Sequence, residues 1–202
     1  MIDNTWEIYK IDILDGELYY IPNYIPELEA QTIYRELYHQ TPWRQDEVTV
    51  FGKKYQQPRL TALFADVPLP YSYAGLTLYP VPFLPILNTL RQQISRDTSI
   101  TFNSCLLNLY RDGRDSNGWH ADNEKELGMN PWIASLSFGE ERSFRLKHRY
   151  DKSQKLKMDL IVGSLVLMGG KLQQYWLHQI PKTAKMVQPR INATFRFLQS
   201  KK

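Results

Sequence analysis

From residue 101 to its C-terminus the chain is a succession of short β-rich runs, and no other feature narrows its fold as much. Phe102–Tyr110, Trp132–Phe138, Ser143–Lys147, Lys155–Val162, Ser164–Met168, Tyr175–His178 and Ile191–Phe197 are separated by Gly or charged turns. Short strands at this spacing close into a sandwich or barrel. Two helices are expected ahead of them. Pro26–Tyr38 can bring Leu28, Ile33, Leu37 and Tyr38 to one face, with Glu27 and Glu29 at the end where the helix dipole favours acids. After Pro85, the residues Ile86, Leu87, Leu90 and Ile94 follow the helical period, with Arg91 and Gln92 outside. Val48–Lys53 reads as a strand running into a turn, and Pro58–Tyr79 as irregular. The expected architecture is mainly β with flanking helices: two helices supporting an antiparallel double-sheet core. One domain over residues 1–202 is expected, because neither half would hold a complete core alone.

Composition removes several classes. Hydrophobic residues are 43% and charged residues 23%, which excludes a disordered or collagen-like chain. The single cysteine, Cys105, rules out an intramolecular disulfide and favours a reducing compartment. No apolar run approaches the roughly 20 residues that span a bilayer, and Met1–Ile13 mixes acids with aromatics, unlike a signal peptide. The expectation is therefore an intracellular monomer with no membrane partner, cytoplasmic if bacterial and nuclear if eukaryotic. The formal charge of +4 suits a polyanionic partner without demanding one.

Three constellations can carry chemistry. In His120-Ala121-Asp122, side chains two apart project together from an extended segment, and His178 lies in a later run, Trp176-Leu177-His178. Two His and one carboxylate suit non-haem Fe(II) and leave positions open for a bidentate co-substrate and O₂. A bare His-x-Asp also occurs as a surface pair or beside a satisfied core histidine. His39 and His148 have no comparable partner and read as structural or exposed. In the second constellation, Arg190, Asn192, Thr194 and Arg196 alternate with Ile191, Ala193, Phe195 and Phe197. That pattern fits a half-exposed strand, or a strand whose two inward arginines clamp a dicarboxylate. The third is Asn108-Leu109-Tyr110, whose polar groups share a strand face, as a polar sheet edge or as donors to a buried carboxylate. A structural zinc site is a poor alternative, since it usually wants four closed ligands, often cysteines.

In combination these pieces resemble the AlkB-type Fe(II)/2-oxoglutarate-dependent dioxygenases, in their DNA-repair (alkylated-DNA demethylase) branch. The likeness runs through Asn108-Leu109-Tyr110-Arg111-Asp112-Gly113, Trp119-His120-Ala121-Asp122-Asn123-Glu124, Ile133-Ala134-Ser135-Leu136-Ser137-Phe138-Gly139, Leu167-Met168-Gly169-Gly170, Trp176-Leu177-His178 and Pro189-Arg190-Ile191-Asn192-Ala193-Thr194-Phe195-Arg196. Upstream, Phe51-Gly52-Lys53, Pro58-Arg59 and Tyr71-Ser72-Tyr73-Ala74-Gly75-Leu76-Thr77 resemble the nucleotide-recognition lid of that branch. The likeness spans roughly residues 45 to 198.

The resemblance implies a double-stranded β-helix (jelly roll) over about 100–198, with helical support and the lid in about 1–99. It implies iron ligation by His120, Asp122 and His178. The co-substrate 2-oxoglutarate would pair with Arg190, supported by Tyr110 and Asn108, with Arg196 near its C1 end and Asn192 and Thr194 lining the pocket. Such enzymes use O₂ to hydroxylate an N-methyl group, which leaves as formaldehyde, with succinate and CO₂ as co-products. The substrate would be alkylated DNA, with RNA the alternative and a non-catalytic nucleic-acid-binding module the reading from another class. A flipped base would meet Phe51, Gly52, Tyr71 and Tyr73, and Glu124 would attract its charged ring. Phosphate contacts are expected first from Lys53 and Arg59, and less from the cations between Lys147 and Lys157. The branch often carries two acids after the metal-binding Asp. Here Asn123 replaces the first, so a contact needing a carboxylate there is missing.

Overall fold

The structure is a computed structural model that describes residues 4–50, 52–66, 70–73 and 76–199. In chain order its strands are β1 (Lys10–Ile11), β2 (Glu17–Ile21), β3 (Glu47–Val50), β4 (Lys53–Gln56), β5 (Leu60–Ala65), β6 (Tyr71–Tyr73), β7 (Leu76–Leu78), β8 (Ser104–Tyr110), β9 (Asn117–His120), β10 (Ile133–Gly139), β11 (Arg142–His148), β12 (Lys155–Leu160), β13 (Leu165–Gly169), β14 (Trp176–Ile180) and β15 (Arg190–Arg196). The helices are α1 (Glu27–Gln40), α2 (Pro85–Thr98) and the one-turn α3 (Leu172–Tyr175). A seven-stranded antiparallel sheet runs β1-β2-β13-β10-β15-β8-β5, and a four-stranded one runs β12-β11-β14-β9. The double-sheet architecture with flanking helices is as expected from the sequence.

The alternation along β15 explains the layering. Ile191, Ala193 and Phe195 join Ile33 and Leu37 of α1 and Leu87, Leu90 and Ile94 of α2 in one apolar core. Arg190, Asn192, Thr194 and Arg196 take the opposite face of the strand and line a cavity. A second apolar cluster includes Tyr110, Phe144, Leu146, Met168 and Trp176, from strands of both sheets. Burying an aliphatic or aromatic side chain stabilises by roughly 1.5–3 kcal/mol, so the helical layer anchors the sheet whose other face carries polar groups.

Several local expectations are corrected. Leu28 is 80% exposed, while Ala30, Ile33 and Leu37 are buried. At 3.6 residues per turn Leu28 falls about 180° from Leu37, so the two cannot share a face. Pro58–Tyr79 is not irregular throughout: β5 forms the edge of the large sheet against β8. Its side chains are buried on both faces, Ala62 and Phe64 on the helical side and Leu63 and Ala65 on the other, so it lacks the alternation that marks a half-buried strand. Val48–Lys53 runs from a strand into a turn as expected, with Gly52 at φ 76°, and the chain then returns as a second strand, Val50 pairing with Lys53. The first 21 residues, which carry no motif, supply β1 and β2, and β2 pairs with β13. Strands from both sides of residue 100 thus share one sheet. Among the described residues, no helix is long and apolar enough to cross a membrane.

Candidate metal centre

Strands β9 and β14 pair with His120 directly opposite His178, just before the register shifts. The two rings lie 4.2 Å apart at 60°. Asp122 follows β9 by two residues, and the ligand atoms of all three side chains fall within 4.8 Å of one another. His120 Nδ1 donates to the Gly118 carbonyl at 2.7 Å, which leaves Nε2 as the acceptor nitrogen, 4.0 Å from Asp122 Oδ1. Asn117 Nδ2 lies 3.1 Å from that same Nε2. The Asp122 amide donates to Gln173 Oε1 at 2.9 Å, and Arg196 donates to Asp122 Oδ2 from Nε at 3.2 Å and Nη2 at 2.9 Å.

The charge states follow from these surroundings. Burial, reinforced by His120 alongside, pushes His178 down to about 3. Burial also lowers His120, against the pull of Asp122. For Asp122 burial, the largest single influence, works upward, but the charge and hydrogen bonds of Arg196 together with the two neighbouring imidazoles outweigh it and hold the carboxyl at about 2. The site therefore presents two neutral imidazoles and one carboxylate at neutral pH. Nδ1 of His178 is buried and no protein group bonds to it. A neutral N, N and anionic O set with an unsatisfied ring nitrogen fits a divalent first-row metal.

The other end of the site stands on β8 and β15, where Arg190 faces Tyr110 and Asn192 faces Asn108 across the ladder. Arg190 is 1% exposed. Its Nη2 donates to Ser137 Oγ at 3.0 Å, but Nε and Nη1 have no partner. Burial lowers it to about 10, and it stays cationic at neutral pH. The guanidinium sits 5.4 Å from the Tyr110 ring centroid, with Arg142 at 5.7 Å from the same ring. A buried cation with two unused donors costs several kcal/mol unless an anion meets it, and a carboxylate matches that fork. Asn192 donates to Ser135 Oγ at 2.7 Å and to the Leu136 carbonyl at 3.1 Å, and accepts from Thr194 Oγ1 at 2.7 Å.

Two sequence-derived roles change. Arg59 is 6% exposed, with Nε donating to Asn108 Oδ1 at 2.8 Å and Nη1 to the Ser116 carbonyl at 3.3 Å. It braces the inner wall and is not on the outer surface where a backbone phosphate would meet it. Arg196 spends Nε and Nη2 on Asp122, so it orients a metal ligand while staying at the metal end of the cavity, where the C1 end of the co-substrate is expected; it is not a second cation for the distal carboxylate.

The metal end and the Arg190 end open into one cavity of about 660 Å³, whose wall includes Asn123 and Glu124. Gly52 and Lys53 are exposed on the β3–β4 hairpin, and Val48 of that hairpin reaches the cavity. Phe51, Ala74, Gly75 and the side chains of Tyr71 and Tyr73 lie outside the described residues. His39 is exposed, whereas His148 is buried, accepts from the Asp151 amide at 2.9 Å and stacks on Tyr175 at 17°. Four supporting residues escaped the sequence reading: Ser135, Ser137, Arg142 and Gln173. The two serines had a signal, since Ala134-Ser135-Leu136-Ser137-Phe138 alternates polar with apolar. Arg142 donates to the carbonyls of Asp112, Asp115 and Pro181, and tertiary packing alone determines that role.

Comparison with known proteins agrees with this geometry. The family model described as "2OG-Fe(II) oxygenase superfamily" matches residues 17–196. Mouse "Alpha-ketoglutarate-dependent dioxygenase alkB homolog 3" is 41% identical over 184 residues, covering 87% of this chain and 64% of the relative. Mouse "DNA oxidative demethylase ALKBH2" is 37% identical over 178 residues, covering 83% of this chain and 74% of the relative. The chain thus spans a little under two thirds of the alkB homolog 3 relatives it matches. Among solved structures, "The structure of OsALKBH1" superposes with a TM-score of 0.62 at 16% identity, over 92% of this chain and all of that one, a likeness of fold. The family implies Fe(II), 2-oxoglutarate and O₂, and the donor set and the unpaired Arg190 fit the first two. The chain belongs to the 2OG-Fe(II) oxygenase superfamily and, within it, to the AlkB type.

Proposed function

We propose that this chain is an Fe(II)/2-oxoglutarate-dependent dioxygenase that removes N-methyl groups from alkylated bases in DNA. The observation that carries this reading is a single cavity with two complementary ends: the His120, Asp122 and His178 cluster, and the buried Arg190 with two unused donors. When bound, Fe(II) with O₂ and 2-oxoglutarate supplies the oxidising equivalents that hydroxylate the N-methyl carbon of the base. The C–N bond of the resulting hemiaminal then breaks, its electron pair staying on the ring nitrogen while the hydroxyl proton is released, and formaldehyde leaves beside succinate and CO₂.

The chain's own part is positioning. His120, Asp122 and His178 hold the metal; Arg196 keeps the Asp122 carboxylate oriented, and Gln173 fixes the Asp122 backbone by accepting from its amide. Arg190 takes the distal carboxylate of the co-substrate, with Ser137 sharing its charge. Tyr110, Asn108, Asn192 and Thr194 line the same wall, so the co-substrate meets polar groups along its length. Glu124, in the cavity wall, favours a base made cationic by methylation. Enclosure between two sheets limits water at the reacting carbon.

The test is incubation with Fe(II), 2-oxoglutarate and ascorbate on matched single- and double-stranded oligonucleotides carrying 1-methyladenine or 3-methylcytosine, in DNA and in RNA. Mass spectrometry should show restored adenine and cytosine in DNA with stoichiometric succinate. Succinate without loss of methyl groups from DNA would reject the substrate assignment, and no succinate would reject the enzyme class.

A further inference from the structure

The outer face of the small sheet carries charge that the site above does not use. Arg145 and Lys147 of β11 stand directly across from Lys157 and Lys155 of β12. Like charges opposite one another on a sheet destabilise it, so two such pairs side by side call for a compensating anion. Among the described residues no carboxylate lies within ion-pair distance of these four cations, and Asp159 is the acid nearest them along β12, opposite Ser143. Trp119 borders this patch at 39% exposure, with Lys147 Nζ 4.4 Å from its ring centroid. The four cations and Trp119 line a second cavity, with Leu146 and Leu156 among its apolar wall. Trp119 also lines the cavity of the metal centre, and the next residue in the chain is His120.

We infer that this face is a track for single-stranded nucleic acid. The base next to the one in the catalytic cavity stacks on Trp119, and the phosphates beyond it cross Lys147, Lys155, Arg145 and Lys157. The chemistry favours this occupant over a folded protein or a membrane. An exposed indole beside a row of cations gives a π-face for any base and charges for the backbone that links it to the next. Because Trp119 lines both cavities, a strand that sends one base to the metal centre has the rim of the second cavity beside it. The inference rests on the demethylase reading for the identity of the strand, but its test measures binding alone.

The experiment is fluorescence anisotropy of a short, unmethylated, fluorescein-labelled oligothymidylate, and of a labelled duplex, against the full chain over a range of salt. Trp119→Ala should weaken single-strand binding by about fivefold to about a hundredfold, the range for losing one stacked base, and Trp119→Phe should retain most of the affinity. The double variant Lys155→Ala/Lys157→Ala, both at exposed positions, should flatten the slope of log affinity against log salt by about 1.4 for a single strand. Trp119→Ala should leave the slope unchanged and should matter less for the duplex, whose bases are already stacked. Circular dichroism of each variant checks the fold, and the lysine variant keeps the question open to refutation if Trp119→Ala fails to fold. Wild-type affinity and slope in the lysine variant, or equal losses of Trp119→Ala on single strand and duplex, would overturn the track while leaving the demethylase reading intact. A wild-type protein that binds no strand at low salt would bring down both.

Discussion

Arg190 and Arg196 sit at the two ends of one strand, on one face, in one cavity, yet their situations are opposite. Arg196 spends two donors on Asp122, a charge pair made within the protein. Arg190 spends one donor on a neutral serine and keeps two unused while almost completely buried. A charge satisfied inside the chain orients other groups, and a charge left unsatisfied identifies what must come from outside. The strand therefore separates two tasks along its length, holding a metal ligand at one end and recognising an anion at the other.

That contrast can be broken most forcefully at the paired end. Arg196→Met leaves the Asp122 carboxylate buried without its counter-ion, and should destabilise the metal-free protein by about 3–5 kcal/mol in urea denaturation. A loss below about 1 kcal/mol would mean the pair contributes no orientation. At the other end the sign should reverse. Arg190→Met removes an uncompensated buried cation, so the metal-free protein should gain about 1–3 kcal/mol, while its affinity for 2-oxoglutarate collapses. A destabilised Arg190→Met protein, or one that still binds 2-oxoglutarate normally, would contradict the assignment. Ser137→Ala sharpens the same point. Losing one hydrogen bond to a charged group should weaken 2-oxoglutarate binding by about 1.5–3 kcal/mol in a calorimetric titration, and unchanged binding would show that Arg190 needs no partner. The smallest effect belongs at Leu28, which sequence periodicity had grouped with the core: Leu28→Ala should change stability by no more than about 0.5 kcal/mol. A loss of 2 kcal/mol or more would return that residue to the buried face.

The same two arginines show how far a sequence can be read. Alternation along Arg190–Arg196 put both cations on the inner face, and the structure has them there. What alternation could not show is that Asp122, 74 residues away in the chain, already occupies one of them. Arg59 failed for a related reason: a buried arginine bonded to an asparagine and an exposed one looking for phosphate are the same letter. The His120, Asp122 and His178 cluster was legible through motif order, but its supports were legible only where a period existed. Ser135 and Ser137 sit in an alternating strand. Gln173 sits in the single-turn helix α3, where no period can develop. Among strands, β13, apolar on both faces, stood out because Gly163 and Gly169 bracket its apolar run, whereas β5, equally apolar, was lost in a stretch that reads as irregular.

The central claim is that three side chains, brought together by the β9–β14 pairing and Arg196, make one divalent-metal site. Its most direct test is anaerobic calorimetric titration of Fe(II) into the wild-type protein and into His120→Ala, Asp122→Ala and His178→Ala, each checked for native circular dichroism. One Fe(II) per chain in the wild type, with saturable binding lost in every variant, is the expected result. Retention of wild-type Fe(II) affinity in any folded member of the three would contradict it.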